Sequence, residues 1–196
     1  MPLQSIVASA HEFAARRPAE TAVRIQAFVA APTRMLLAAD GLTTTLLEAW
    51  TGAPARIAQA DHRRVRAADA PGGSAGLLEC PPEEELLVRR SVLAAGDGTE
   101  LSRNVVVARP GLSGVAERHL TDTSAPIGPG LHAAGTAYRR TVLDAGVLDW
   151  DGEPAAYKTY LMWHGSWPLA AITEVFNPAV VPAARTAPLL TAGGHR

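Results

Sequence analysis

The chain has 196 residues, enough for one domain with a core of its own, and 18 Lys+Arg against 19 Asp+Glu leave a formal charge of −1. That balance excludes the broad basic surface of a nucleic-acid or membrane-surface binder, and 47% hydrophobic with 19% charged residues excludes a disordered chain. A single cysteine, Cys80, excludes an internal disulfide and Cys-cluster zinc or iron–sulfur sites.

Residues 1–33 are Ala-rich, with Phe13, Val23 and Phe28 at helical spacing; Pro18 divides the stretch and Pro32 ends it. The pattern predicts an N-terminal extension of one or two helices or a partly disordered arm. No apolar run reaches signal or membrane-spanning length, since His11, Glu12, Arg16, Arg17 and Glu20 interrupt it, so a cytoplasmic protein is expected. From Arg34 a helix is predicted to end near Asp40-Gly41. The β-branched run from Leu42 opens either a strand or a second helix. Residues 55–66 read as extended, and 69–76 as a Gly-rich loop. Leu86 to Leu93 reads as a strand, turned by Asp97-Gly98 into a second strand over Leu101 to Ala108. Helices are predicted around 112–120 and 129–145, with Gly146 as the stop of the second. A second hairpin joins Tyr157–Trp163 to Pro168–Phe176 through His164-Gly165-Ser166-Trp167. Strand pairs flanking helices predict an α+β fold with an antiparallel β-sheet covered by helices.

Motifs that would fix a chemistry are missing: no Walker A loop, no GxGxxG after a strand, no GxSxG elbow and no HExxH occur. Neither a metal site nor a cofactor is predicted. Of the 18 basic residues 17 are Arg and one is Lys158, a skew that weakens any argument from an arginine's mere presence. Position along a strand discriminates better, because side chains alternate between faces. Leu86, Val88, Arg90 and Val92 share one face; Leu87, Arg89, Ser91 and Leu93 share the other. Arg90 therefore lies on the more uniformly apolar face and Arg89 on the mixed one. Glu174 shares a face with Ile172 and Phe176. A charge on an apolar face is costly unless it is paired or meets a ligand. An Arg fork suits a carboxylate, and a carboxyl in apolar surroundings holds its proton and can donate it. The same pattern fits an Arg–Glu ion pair across the sheet. Cys80, before Pro81-Pro82, has no catalytic partner in the sequence. His62-Arg63-Arg64-Val65-Arg66 reads as a solvated strand end, His119 and His132 as helix-surface residues, and the four Trp as core or interface residues.

Four segments in order carry a family resemblance: "AADGLTTTL", "LLVRRSVLAAGDGTELSRNVVVARPGLSG", "APIGPGL" and "ITEVFNP". Together they resemble the chorismate pyruvate-lyase family, whose fold is shared by the effector-sensing (UTRA) domains of bacterial transcription regulators. The likeness runs from about Arg34 to Pro182. It implies a chorismate lyase-like domain over 34–183, with a tail over 184–196. It implies a cofactor-free carbon–oxygen lyase that eliminates pyruvate from chorismate and leaves 4-hydroxybenzoate. Aligned on the Asp-Gly turn, the family's essential Arg falls at Arg90 and its essential Glu at Glu174. Arg90 would bind a substrate carboxylate, and Glu174 the ring hydroxyl and a proton. Backbone groups at Leu42, Ile127 and Gly128 would cradle the ligand, with Arg103 and Lys158 adding positive field. The expected partner is a small molecule, with no nucleic acid and no membrane, in a monomer or homodimer. Two alternatives use the same fold: a non-catalytic aromatic-acid sensor, and a natural-product tailoring enzyme.

Overall fold

In chain order, a computed structural model, which describes residues 13–136 and 138–186, has thirteen elements. Helices α1 (Pro18–Gln26), α2 (Ala31–Ala38) and α3 (Thr43–Thr51) lead into strand β1 (Ala55–Arg66). A 3-10 turn (Ala67–Asp69) and the one-turn helix α4 (Ser74–Leu77) precede the hairpin β2 (Glu85–Ala95) and β3 (Glu100–Ala108). Helices α5 (Gly114–Thr121) and α6 (Ile127–Ala133) precede β4 (Arg139–Trp150), β5 (Glu153–His164) and β6 (Trp167–Phe176).

The local signals explain most of these boundaries. Pro18 and Pro32 sit in the first turns of α1 and α2, where the missing N–H costs nothing. Pro32 thus opens a helix where the sequence reading had it close one. Leu42 is the N-cap residue of α3, so the segment after it is a helix; Gly52 ends that helix at φ +69°. The helix predicted over 129–145 is corrected: α6 stops at Ala133, and 139–150 is strand β4. A register irregularity between Val142 and Asp144 breaks the two-residue period that announces a strand. The missed signal is Asp151-Gly152, at φ +53° and +94°, a two-residue turn that folds β4 onto β5.

All six strands join one antiparallel sheet in the order β1-β2-β3-β6-β5-β4. The fold is α+β with an antiparallel sheet, as the order of elements predicted. Both faces of the sheet are covered. The outer face buries Leu86, Val88, Val107, Leu161 and Ala171 with Phe13 and Leu78. The inner face carries two apolar clusters. One gathers Leu93, Ala156 and Phe176 with Phe28, Leu36, Leu37 and Leu47 from the first three helices and the link between them. The other gathers Leu87, Val106, Ile172 and Met162 with Leu120 and Leu131 from α5 and α6. Between them the inner face is polar, and this gap positions the site.

Residues 13–33 pack onto this body. Phe28 is fully buried and bridges Arg185. Thr21 Oγ1 donates to the Leu143 carbonyl at 2.8 Å, and Arg16 and Arg24 hold the buried Asp144 at 2.8 and 3.1 Å. The first twelve residues of the expected extension, and 187–196 of the expected tail, lie outside the described residues. No helix among the described residues is long and apolar enough to cross a membrane.

Candidate ligand-binding site

The register of four strands builds the floor. Ser91, Asn104, Glu174 and Lys158 are successive cross-strand partners on β2, β3, β6 and β5. Two residues further along each strand lie Arg89, Val106, Ile172 and Tyr160. Since alternate residues share a face, both rows point inward. Above them is a cavity of about 70 Å³. Its floor includes Arg89, Ser91, Asn104, Glu174 and Tyr160, with Arg140 arriving from β4. Its roof is Leu42, Thr43 and Thr44 at the start of α3, facing Pro126, Ile127 and Gly128 at the start of α6. The two roof segments touch: a Cβ on Gly128 would lie 3.1 Å from Leu42 Cδ2. An engineered apolar cavity of roughly 150 Å³ binds benzene; this cavity is under half that size, and a shift of the roof would enlarge it.

Arg89 is 1% exposed. Its Nη1 donates to the His119 carbonyl at 3.3 Å and its Nη2 to the Ala125 carbonyl at 3.1 Å; its Nε has no partner among the described residues. Both partners are neutral, so the charge is buried without a carboxylate bonded to it. Burial pushes its pKa down, opposed by the more distant Asp122. An anion entering the cavity would meet a desolvated guanidinium with an unused donor.

Glu174 is, by contrast, well partnered. Thr43 Oγ1 donates to Oε2 at 2.8 Å, Tyr160 OH donates to Oε1 at 3.3 Å, and Lys158 Nζ lies 3.8 Å from Oε2. Lys158 is itself buried and donates to the Leu36 and Ala39 carbonyls at 3.1 and 3.2 Å, closing the C-terminal end of α2. Burial lowers its pKa, with Glu174 opposing. Burial first, and Glu174 second, hold the Tyr160 phenol well above its ordinary range. Tyr160 therefore stays a neutral donor.

The structure brings together Leu42, Ile127, Gly128 and Glu174 around the cavity, with Lys158 one contact behind Glu174. It does not bring in Arg90 or Arg103. Arg90 pairs across the sheet with Asp61 and Val105 and points to the outer face; burial and Arg63 lower its pKa, and Asp61 opposes. Arg103 also faces outward, with Asp151 at 2.8 and 2.9 Å and its guanidinium 3.9 Å over the Trp150 ring. Alternation assigned the two faces of β2 properly. The uniformly apolar face, however, is the tightly packed outer layer, whereas a ligand face has to be mixed. Counting back from the Asp-Gly turn also crosses a register irregularity between Leu93 and Ala94. The β2 arginine that lines the cavity is Arg89. Asn104, Ser91, Tyr160 and Arg140 were missed as well. Their signal was that each shares a strand face with a residue already suspected, once strand pairing is known.

Among solved structures the chain is similar to PhnF from Mycobacterium smegmatis, at 15% identity and TM-score 0.53, over 76% of this chain and 69% of that one. It is similar to the effector domain of PhnF from the same organism, at 16% identity and TM-score 0.52, over 72% and 91%. A ligand-binding domain from Bordetella bronchiseptica, assigned to the GntR family of transcriptional regulators, matches at 17% identity and TM-score 0.47, over 69% and 92%. No protein-family model and no curated protein sequence matches the chain. At these identities the likeness shows the fold, that of regulator effector domains. The expectation of a chorismate-cleaving enzyme is thereby corrected: the similar solved structures with a TM-score above 0.5 reported above are PhnF and its effector domain, not lyases. The Arg90–Glu174 pair on which that reading rested is also split between the two faces of the sheet.

Proposed function

We propose that the chain is a ligand-sensing domain whose inner-face pocket binds a small organic acid without making or breaking a bond in it. The observation that carries this reading is Arg89, a buried guanidinium held by two neutral carbonyls with its Nε unused. The ligand's carboxylate would take that donor, converting an uncompensated buried charge into a charge-assisted pair. Arg140 adds positive charge, and Glu174, fixed by Thr43, Tyr160 and Lys158, presents a rigid polar wall. Leu42, Ile127 and Gly128 form the roof that closes over the acid. The effector domain of PhnF shares the fold and supports sensing over catalysis. Calorimetric titration with benzoate and with benzamide, its neutral counterpart of similar shape, tests the reading. Benzoate is expected to bind at least about tenfold more tightly. Equal affinities would show that no anion is recognised.

A further inference from the structure

Resting on that reading of the pocket as an acid-binding site, we infer that Asn104 selects the acid by a hydroxyl group. The ligand class is then a hydroxylated organic anion rather than a zwitterion. Two polar atoms of the floor are buried without a hydrogen-bond partner among the described residues: Arg89 Nε, a donor, and Asn104 Oδ1, an acceptor. The first calls for an acceptor on the ligand and the second for a donor. They sit on neighbouring strands in consecutive inward-facing pairs, two residues apart along the strand, since Arg89 pairs with Val106 and Ser91 with Asn104. One small molecule with an anionic group and a nearby donor satisfies both.

Charge decides what the donor is. Asn104 pairs directly with Glu174, so the donor group would approach a carboxylate as well as an amide oxygen. An ammonium group suits that pair in isolation, but Glu174 already has Lys158 at 3.8 Å, and Arg89 and Arg140 line the same cavity. A further cation would enter a site that already holds three cations and one carboxylate, in a space where charges are poorly screened. A hydroxyl donates to Oδ1 with no such cost. A ligand without the donor leaves Oδ1 buried and unpaired, which is how a site built for a hydroxyl rejects the analogue lacking it.

The test is a calorimetric series on the whole chain with 3- and 4-hydroxybenzoate, benzoate, 4-fluorobenzoate and 4-(aminomethyl)benzoate. The better hydroxybenzoate is expected to bind at least about tenfold more tightly than benzoate. Fluorobenzoate, close in shape but without the hydrogen, is expected to match benzoate, and the ammonium compound to bind more weakly than either. In Asn104→Ala the ratio of hydroxybenzoate to benzoate affinity is expected to fall to within about threefold. Should that variant fail to fold, the wild-type series decides alone. Benzoate binding as tightly as both hydroxybenzoates, fluorobenzoate matching the better of them, or the hydroxyl advantage surviving in Asn104→Ala would overturn this inference and leave the acid-binding reading standing. Tightest binding by the ammonium compound would overturn the assignment of ligand class. No binding by any of the five carboxylates would overturn the acid-binding reading itself.

Discussion

Arg89 and Arg90 are adjacent in the chain and separated by the thickness of the sheet. Arg89 lies under the roof helices, 1% exposed, while Arg90 shares the outer face with Val88 and Val92 and is partly exposed. Local chemistry cannot tell two neighbouring arginines apart; only the layer above each side chain does. A second residue-scale contrast is Tyr157, whose OH donates to the buried Asp144 at 2.7 Å. Burial, and then Asp144, push its pKa from 10.0 up to about 12. A raised folded pKa means that its stabilisation is complete below the unfolded value and is lost as pH climbs through the folded one. Between about pH 10 and about pH 12 the unfolded chain therefore gives up this proton first, and unfolding becomes easier. Urea denaturation across that range should show stability falling less steeply in Tyr157→Phe than in wild type. Comparing the two proteins removes the parallel contribution of Tyr160 and the opposing one of Lys158. Identical slopes would mean that the phenol is not held as described.

At the scale of elements, the hairpins β2–β3 and β5–β6 were legible, and the hairpin β4–β5 and the roof were not. Asp97-Gly98 and the His164–Trp167 turn each lie between alternating runs, and a strand pair with a tight turn is a local object. Strand β4 was missed because its register shift hides the alternation, leaving Ala, Leu and Val at spacings that also suit a helix. The roof helix α6 has the sequence Ile127-Gly128-Pro129-Gly130-Leu131-His132-Ala133, poor in helix formers. It stays folded through Leu131, buried against Leu120 and Met162, and through packing of Gly130 on the His119 ring. A seven-residue helix poor in helix formers, roofing a small cavity, is the element expected to open. Hydrogen exchange should be faster over 127–133 than over the central strands β2, β3 and β6. Saturating benzoate should slow it by about tenfold or more in the roof and leave the outer face unchanged. Protection spread evenly over both faces would contradict a localised roof.

The whole molecule is a sheet with two covered faces, and this is what a single sequence could not convey. Composition, turn signals and strand order suffice for an antiparallel α+β domain, because each follows from neighbours in the chain. Which face holds the ligand depends on how β2, β3, β6 and β5 align, and no one strand carries that information. Glu174 was found because a carboxylate stands out between Ile172 and Phe176; Asn104 was not, because an uncharged amide beside Arg103 does not. Residues 13–33 clamp onto β4 through Asp144, so the body extends beyond the segment that carries the family motifs. The most direct measurement is a titration of benzoate into wild type, Arg89→Met and Arg90→Met. Arg89 bonds only neutral carbonyls, so methionine removes the charge without stranding a carboxylate. Arg89→Met is predicted to weaken binding by about tenfold to a hundredfold, and Arg90→Met by less than about threefold. A large loss in Arg90→Met with Arg89→Met close to wild type would place the ligand on the outer face and contradict the site.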